Sequence, residues 1–180
     1  MRGLPAAYPG MRIGLFGGSF DPAHEGHAHV AETALKRLGL DRVWWLVSPQ
    51  NPLKPKSGPF DMRLRSARDR ASGPRMVVTD LEQRLNCRFT YETIRALKRR
   101  YPGVHFTLVM GADNLTNFRA WRNWREVAEA LPVAVISRPG VRPSARLNAP
   151  AHWTFLSARH HPHSSTALRR GQAVAKPPRK

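Results

Sequence analysis

Short apolar runs alternate along this chain with longer stretches in which apolar positions recur every three or four residues. Residues 13–16 form a buried-strand run that ends at Gly17-Gly18, and from about residue 25 to 38 the stripe His27, Ala31, Ala34, Leu35, Leu38 has helical spacing. Gly39 is placed to stop that helix. A second strand is predicted over 43–47, followed by a Pro-rich loop over 48–59 that carries Lys54 and Lys56, and a helix over 61–71. Residues 76–78 read as a third strand. Thr90 is a candidate N-cap for a helix that ends near Tyr101, before Pro102-Gly103. A fourth strand over 104–110 ends at Gly111-Ala112-Asp113, and the aromatic segment Phe118, Trp121, Trp124 leads into a helix through about residue 130. A fifth strand is predicted over 133–136 and a sixth over 153–156, with loop over 141–150 and a frayed tail over 176–180. There is no internal repeat.

Strands that alternate with helical patterns predict βαβ units, so the expected fold class is α/β: a Rossmann-like open, mainly parallel sheet with helices on both faces, in a single domain with a short C-terminal helical segment. At 180 residues the chain can bury a core without a covalent staple. Residues 1–10 hold Pro5 and Pro9 but no continuous apolar run, and are expected to be a disordered extension; 11–171 is the expected domain and 172–180 a basic tail.

The only cysteine, Cys87, cannot form an internal disulfide, which points to a reducing, cytoplasmic setting. No stretch approaches the length of a membrane span, so no membrane partner is expected. The formal charge of +18 raises the question of nucleic acid. The arginines, however, are scattered from Arg12 to Arg179 rather than clustered, and a positive field serves equally to attract small polyphosphates, so no specific nucleic-acid partner is expected. The oligomeric state is left open, a homo-oligomer being compatible with the chain.

In open parallel sheets, ligands bind outside the carboxyl ends of the strands, so the loops after each strand carry the chemistry. After the first strand comes GGSFDPAHEGH. Gly17 and Gly18 allow backbone amides, including those of Ser19 and Phe20, to approach a phosphate, and the following helix turns its positive N-terminal end toward it. Neither a Walker loop nor a GxGxxG fingerprint is present. His24 and His27, three apart at the helix start, place two imidazoles on one face where both can donate to phosphate oxygens. They lack the companion residues of an HExxH zinc site, and no resident metal is expected. A pair of satisfied surface histidines is the bland reading of an isolated HxxH.

GSFDPAHEGH resembles the first signature of the HxGH nucleotidyltransferase superfamily, and Ser164-Ser165-Thr166-Ala167-Leu168-Arg169 resembles its second, the SSTxxR motif. Both occur in the expected order at opposite ends of a βαβ chain. Within that superfamily the chain is most similar, from Met11 to about Arg170, to the nicotinate-nucleotide adenylyltransferase family. The resemblance implies that His24, His27 and Arg169 are catalytic, that Ser164, Ser165 and Thr166 bind ATP phosphates, and that Arg138, in ISRPG, lies on the ATP side. It further implies that Lys54, in SPQNPLK, reaches substrate phosphate. Backbone amides at Thr90 and Tyr91 would hold the nicotinate carboxylate, Asp113 would bond the substrate, and Trp121 would stack on the pyridine ring. Each of these residues has a plainer rival: Trp121 and Trp124 as a core stripe, Asp113 as a helix cap, Ser164 to Thr166 as capping residues, Lys54 and Arg138 as solvated surface charges.

The reaction implied is attack by the 5′-phosphate of nicotinate mononucleotide on the α-phosphorus of ATP, with Mg²⁺ shielding the triphosphate. Two departures from the family pattern stand out: His163 precedes the second signature where an apolar residue is usual, and the segment after Gly171 lacks the longer C-terminal helix of many members. Phosphopantetheine adenylyltransferase shares both signatures and is the sibling alternative, with a cytidylyltransferase a weaker one. A basic nucleic-acid-binding protein on a decayed transferase scaffold is the alternative from another class.

Overall fold

Two consecutive tryptophans explain how the sheet is built. Trp44 and Trp45 are neighbours in one strand, so they point to opposite faces, and both are fully buried. Only a sheet covered on both sides can do that. A computed structural model describes residues 4–49, 57–137 and 153–157. Its strands are β1 (Arg12–Gly18), β2 (Arg42–Val47), β3 (Met76–Thr79), β4 (His105–Gly111), β5 (Val133–Ser137) and β6 (Trp153–Ser157). They form one six-stranded sheet in the order β3-β2-β1-β4-β5-β6. Every adjacent pair is parallel.

The helices are α1 (Glu25–Arg37), α2 (Phe60–Arg70), α3 (Leu81–Arg84), α4 (Thr90–Arg100), α5 (Ala112–Leu115) and α6 (Trp124–Ala130), with a 3₁₀ turn at Phe118–Ala120. Trp45 packs with Val30, Ala31, Ala34 and Leu35 of α1 and Leu64 and Ala67 of α2. Trp44 lies on the other face, in the core cluster that also holds Leu81 of α3, Ile94 and Leu97 of α4, and Val127 and Ala128 of α6. The expected fold class is therefore the observed one. Its C-terminal helical segment falls outside the described residues.

Local chemistry sets the ends of the elements. Gly39, at φ +59°, follows α1 in the left-handed conformation that glycine adopts without strain. The short helix α3, which the apolar pattern did not announce, starts where the Thr79 hydroxyl accepts from the Leu81 amide at 3.1 Å. Thr90 is not the cap of α4. It is the first helical residue, and the terminus is closed by Glu92, whose carboxylate reaches back to accept from the amides of Arg88 at 2.8 Å and Phe89 at 3.2 Å. The acidic side chain closes the start of the helix from inside the first turn, by reaching back to amides that precede Thr90, where a threonine cap would have reached forward.

The N-terminal expectation is also corrected. Leu4 and Ala7 pack against the core, the Tyr101 hydroxyl donates to the Pro5 carbonyl at 2.8 Å, Arg42 donates to the Ala6 carbonyl at 2.8 Å, and the Gly10 amide donates to the Gly103 carbonyl at 2.8 Å. Residues 4–10 are thus tied to the domain by apolar contact and hydrogen bonds that a search for periodicity does not register.

Candidate active site

Because all the strands run the same way, their carboxyl ends share one edge, and the loops that leave it meet there. The register opposes Gly18 to Val47, so the chain leaves β1 and β2 side by side; the Ser48 amide then donates to the Gly18 carbonyl at 3.0 Å. Beyond Gly18 the chain turns at Phe20, a non-glycine residue at φ +48°. That conformation costs on the order of 1–3 kcal/mol and persists only where packing holds it. Phe20 is held by Trp45 and Phe16, with ring centroids 5.1 and 5.4 Å away. A side chain at Gly18 would crowd that ring, since an added Cβ would lie 3.0 Å from it, whereas no described residue beyond its chain neighbours lies within 4 Å of where a Cβ on Gly17 would stand.

The two histidines lie directly after this turn, their ring centroids 3.9 Å apart. His24 is the N-cap of α1, and its Nδ1 accepts from the Gly26 amide at 3.1 Å. His27 Nδ1 accepts from the His24 amide at 3.2 Å. The pair is thus an imidazole capping box. With Nδ1 of each ring an acceptor, the proton of each neutral imidazole is on Nε2; the His24 ring is buried, 4% exposed. Capping and ligand binding use different nitrogens, and the bland and functional readings are compatible. His27 also packs on Phe20 at 5.1 Å, which couples its orientation to the strained turn.

A second group gathers around the starts of α4 and α6. Asp113 follows β4 and folds back over Gly111, where any Cβ would collide with its carboxylate. It is exposed and sits inside the first turn of α5, whose N-cap is Gly111, so capping does not account for it. Trp121 is half-buried, its ring 5.2 Å from that of Phe118. The segment that carries it is fixed to α4 by a forked ion pair in which Arg95 donates to both oxygens of Glu126, at 2.5 and 2.9 Å. The Glu92 bonds occupy the amides of residues 88 and 89 and not those of Thr90 and Tyr91. Lys54, Arg138, Ser164, Ser165, Thr166 and Arg169 lie outside the described residues.

A family profile described as cytidylyltransferase-like matches residues 15–171. The chain is 51% identical to a probable nicotinate-nucleotide adenylyltransferase of Roseobacter denitrificans over 97% of its own length and 87% of the relative's. It is 53% identical to one of a Caulobacter species over 88% of its length and 84% of the relative's. The chain belongs to the nicotinate-nucleotide adenylyltransferase family. The fold agrees: a Plasmodium falciparum nicotinic acid mononucleotide adenylyltransferase superposes with a TM-score of 0.75 at 18% identity, covering 89% of this chain and 83% of that one.

Two residues of this adenylyltransferase-family chain went unnoticed in its sequence. Arg63 of α2 is only 3% exposed and donates to four backbone carbonyls. Its signal was faint: a charge three residues after Phe60 and four before Ala67, on the helix's apolar stripe. Burial pulls its guanidinium below the ordinary value, and nearby Asp21 works against that pull.

The second is Glu82, 8% exposed, which bridges the two groups. The Thr93 hydroxyl of α4 donates to its carboxyl at 3.0 Å, and the Ser48 side chain bonds it from the end of β2. Burial pushes Glu82 up to about 7, and those two bonds only partly offset it. Because the folded value lies above the unfolded one, the contribution of Glu82 to stability is greatest at low pH and falls as pH rises from about 4.5 to about 7, then levels off. Glu82→Gln keeps an acceptor for Thr93 and removes the ionisation. It is expected to flatten that slope and to be more stable than the parent at pH 8 by roughly 1–3 kcal/mol, as read from urea unfolding at several pH values. A parallel slope in parent and variant would assign the pH dependence to other groups.

Proposed function

We propose that this chain joins nicotinate mononucleotide to the adenylyl group of ATP, releasing pyrophosphate and forming nicotinate adenine dinucleotide. The observation that carries the reading is the pair of Nε2–H donors on His24 and His27, fixed by Nδ1 capping bonds beside the open Gly17 face, in a chain of this family. A phosphate monoester has its second pKa near 6, so the attacking 5′-phosphate is already anionic at neutral pH and needs no general base. A bond forms from its oxygen to the α-phosphorus as the bond from that phosphorus to the oxygen shared by the α- and β-phosphates of ATP breaks, and that oxygen leaves with pyrophosphate. Catalysis is then alignment together with stabilisation of the charge gathering on the transferred group and the leaving pyrophosphate.

His24, His27 and the amides at Ser19 and Phe20 supply donors on the ATP side. Thr90 and Tyr91 amides take the nicotinate carboxylate, Asp113 bonds the substrate and Trp121 stacks on the pyridine ring. Lys54, Arg138, Ser164, Ser165, Thr166 and Arg169 are assigned to phosphate binding on the signatures alone, Arg169 with a catalytic role. Mg²⁺ supplied with ATP would screen the charge of the triphosphate. Among the described residues no group of three or more His, Cys, Asp or Glu side chains could hold a metal ion. No helix among the described residues is long and apolar enough to cross a membrane.

The test is direct. The purified chain with ATP, Mg²⁺ and one acceptor at a time is expected to give pyrophosphate and a product of the mass of nicotinate adenine dinucleotide with nicotinate mononucleotide, and no dinucleotide with phosphopantetheine. The opposite preference would move the chain to the sibling activity.

A further inference from the structure

One guanidinium reaches the segments that leave both β1 and β2. Arg63 Nη1 donates to the Ser19 carbonyl of the turn after β1 and to the Ser48 carbonyl after β2, each at 2.8 Å. Its Nη2 donates to the Pro49 carbonyl at 2.8 Å, and its Nε to the Gly58 carbonyl at 2.9 Å. Pro49 and Gly58 bracket residues 50–57, so one side chain grips the chain on both sides of that segment. The neighbouring bonds run the same way: the Gly58 amide donates to Asp21 at 3.1 Å, and the Ala23 amide to Ser66 of α2 at 2.9 Å.

Four carbonyls satisfied by one planar fork is a demanding arrangement, which lysine, with a single nitrogen, cannot reproduce. Nor is it the cheapest way to fill that volume. A buried cation costs free energy to desolvate and is retained where a specific geometry depends on it. An apolar side chain would fill the space but leave the carbonyls of Ser19, Ser48, Pro49 and Gly58 without this donor.

We propose that Arg63 is a positioning residue that locks the turn carrying Ser19 and Phe20 to the chain on either side of residues 50–57, fixing the ATP-phosphate cradle against the segments that leave β2 and enter α2. The reading of the Ser19–Phe20 turn as a phosphate cradle rests on the function proposed above; the locking itself does not. Arg63 touches no reacting atom in this account. It acts through the backbone, so its loss alters how the two loops face each other, and with them the alignment on which turnover depends.

The experiment compares the parent, Arg63→Lys and Leu40→Ala. Leu40 is a buried core residue at the opposite end of the sheet, and its truncation lowers the melting temperature without touching either loop. In amide hydrogen exchange of the unliganded proteins, Arg63→Lys is expected to speed exchange about tenfold or more in both 18–24 and 48–58 together, with the strand centres unchanged. Leu40→Ala is expected to show no such selectivity. With nicotinate mononucleotide and ATP, Arg63→Lys is expected to lose roughly 10- to 100-fold in kcat with a raised KM for the mononucleotide, while Leu40→Ala keeps parental constants. Where Arg63→Lys fails to fold, Arg63→Gln is read in the same way. Exchange that changes in one segment only, or kinetic constants that match those of Leu40→Ala, would overturn the inference. A parent chain that makes no dinucleotide would instead overturn the proposed function, and the exchange data would still decide the role of Arg63.

Discussion

Replacing His27 by alanine is expected to lower kcat by about 10²–10³, the usual effect of deleting one preorganised donor from a charged transition state, while the affinity for ATP changes little. Two roles are combined in this residue and must be separated. Its Nδ1 accepts from the His24 amide, so His27→Ala also removes a cap, which costs about 1 kcal/mol of stability. His27→Asn separates the roles, because the Asn side-chain oxygen can stand in for Nδ1 while nothing replaces Nε2–H. The asparagine variant is expected to recover most of the lost stability and almost none of the turnover. Steady-state kinetics and thermal unfolding on the three proteins decide the matter. Turnover restored in His27→Asn would reduce His27 to a capping residue and remove its ligand-facing nitrogen from the mechanism.

Trp45→Ala is expected to destabilise the fold by about 3–5 kcal/mol, as large aromatic truncations in well-packed cores do. Trp45 is fully buried, its ring 5.3 Å from Phe16 and 5.1 Å from Phe20. Beyond the lost apolar burial, the cavity would remove the support that keeps Phe20 at positive φ, so the cradle should relax as well. Trp45→Phe is the informative companion. The indole nitrogen is buried with no hydrogen-bond partner among the described residues, so its removal forfeits no bond there, and the cost should be only roughly 1–2 kcal/mol. Denaturant unfolding gives both numbers. Similar losses in the two variants would mean that the indole donor contributes, and that the buried nitrogen has a partner after all.

Much of the fold was legible because it rests on short-range patterns. The apolar runs, the glycine after α1 and the two signatures are each contained within a dozen residues, and the strands lie within one or two residues of the predicted bounds. Where the prediction failed, two local solutions competed. Thr90 and Glu92 can both close the start of α4, and the carboxylate, which takes two amides at once, prevailed. Residues 4–10 lack periodicity because they are held by individual hydrogen bonds to Arg42, Tyr101 and Gly103, which leave no repeating pattern to read.

The linear chain alone determined an α/β architecture with a glycine turn and two histidines at its first helix, since period, turn chemistry and motif spacing act between near neighbours. Tertiary structure decided which nitrogen each histidine has to offer, why Phe20 holds its conformation, and that Arg63 and Glu82 belong beside the site at all. Those outcomes depend on partners far apart in sequence, such as Arg63 and Ser19 at a separation of 44 residues, and a buried charge becomes intelligible only when the carbonyls around it are in place.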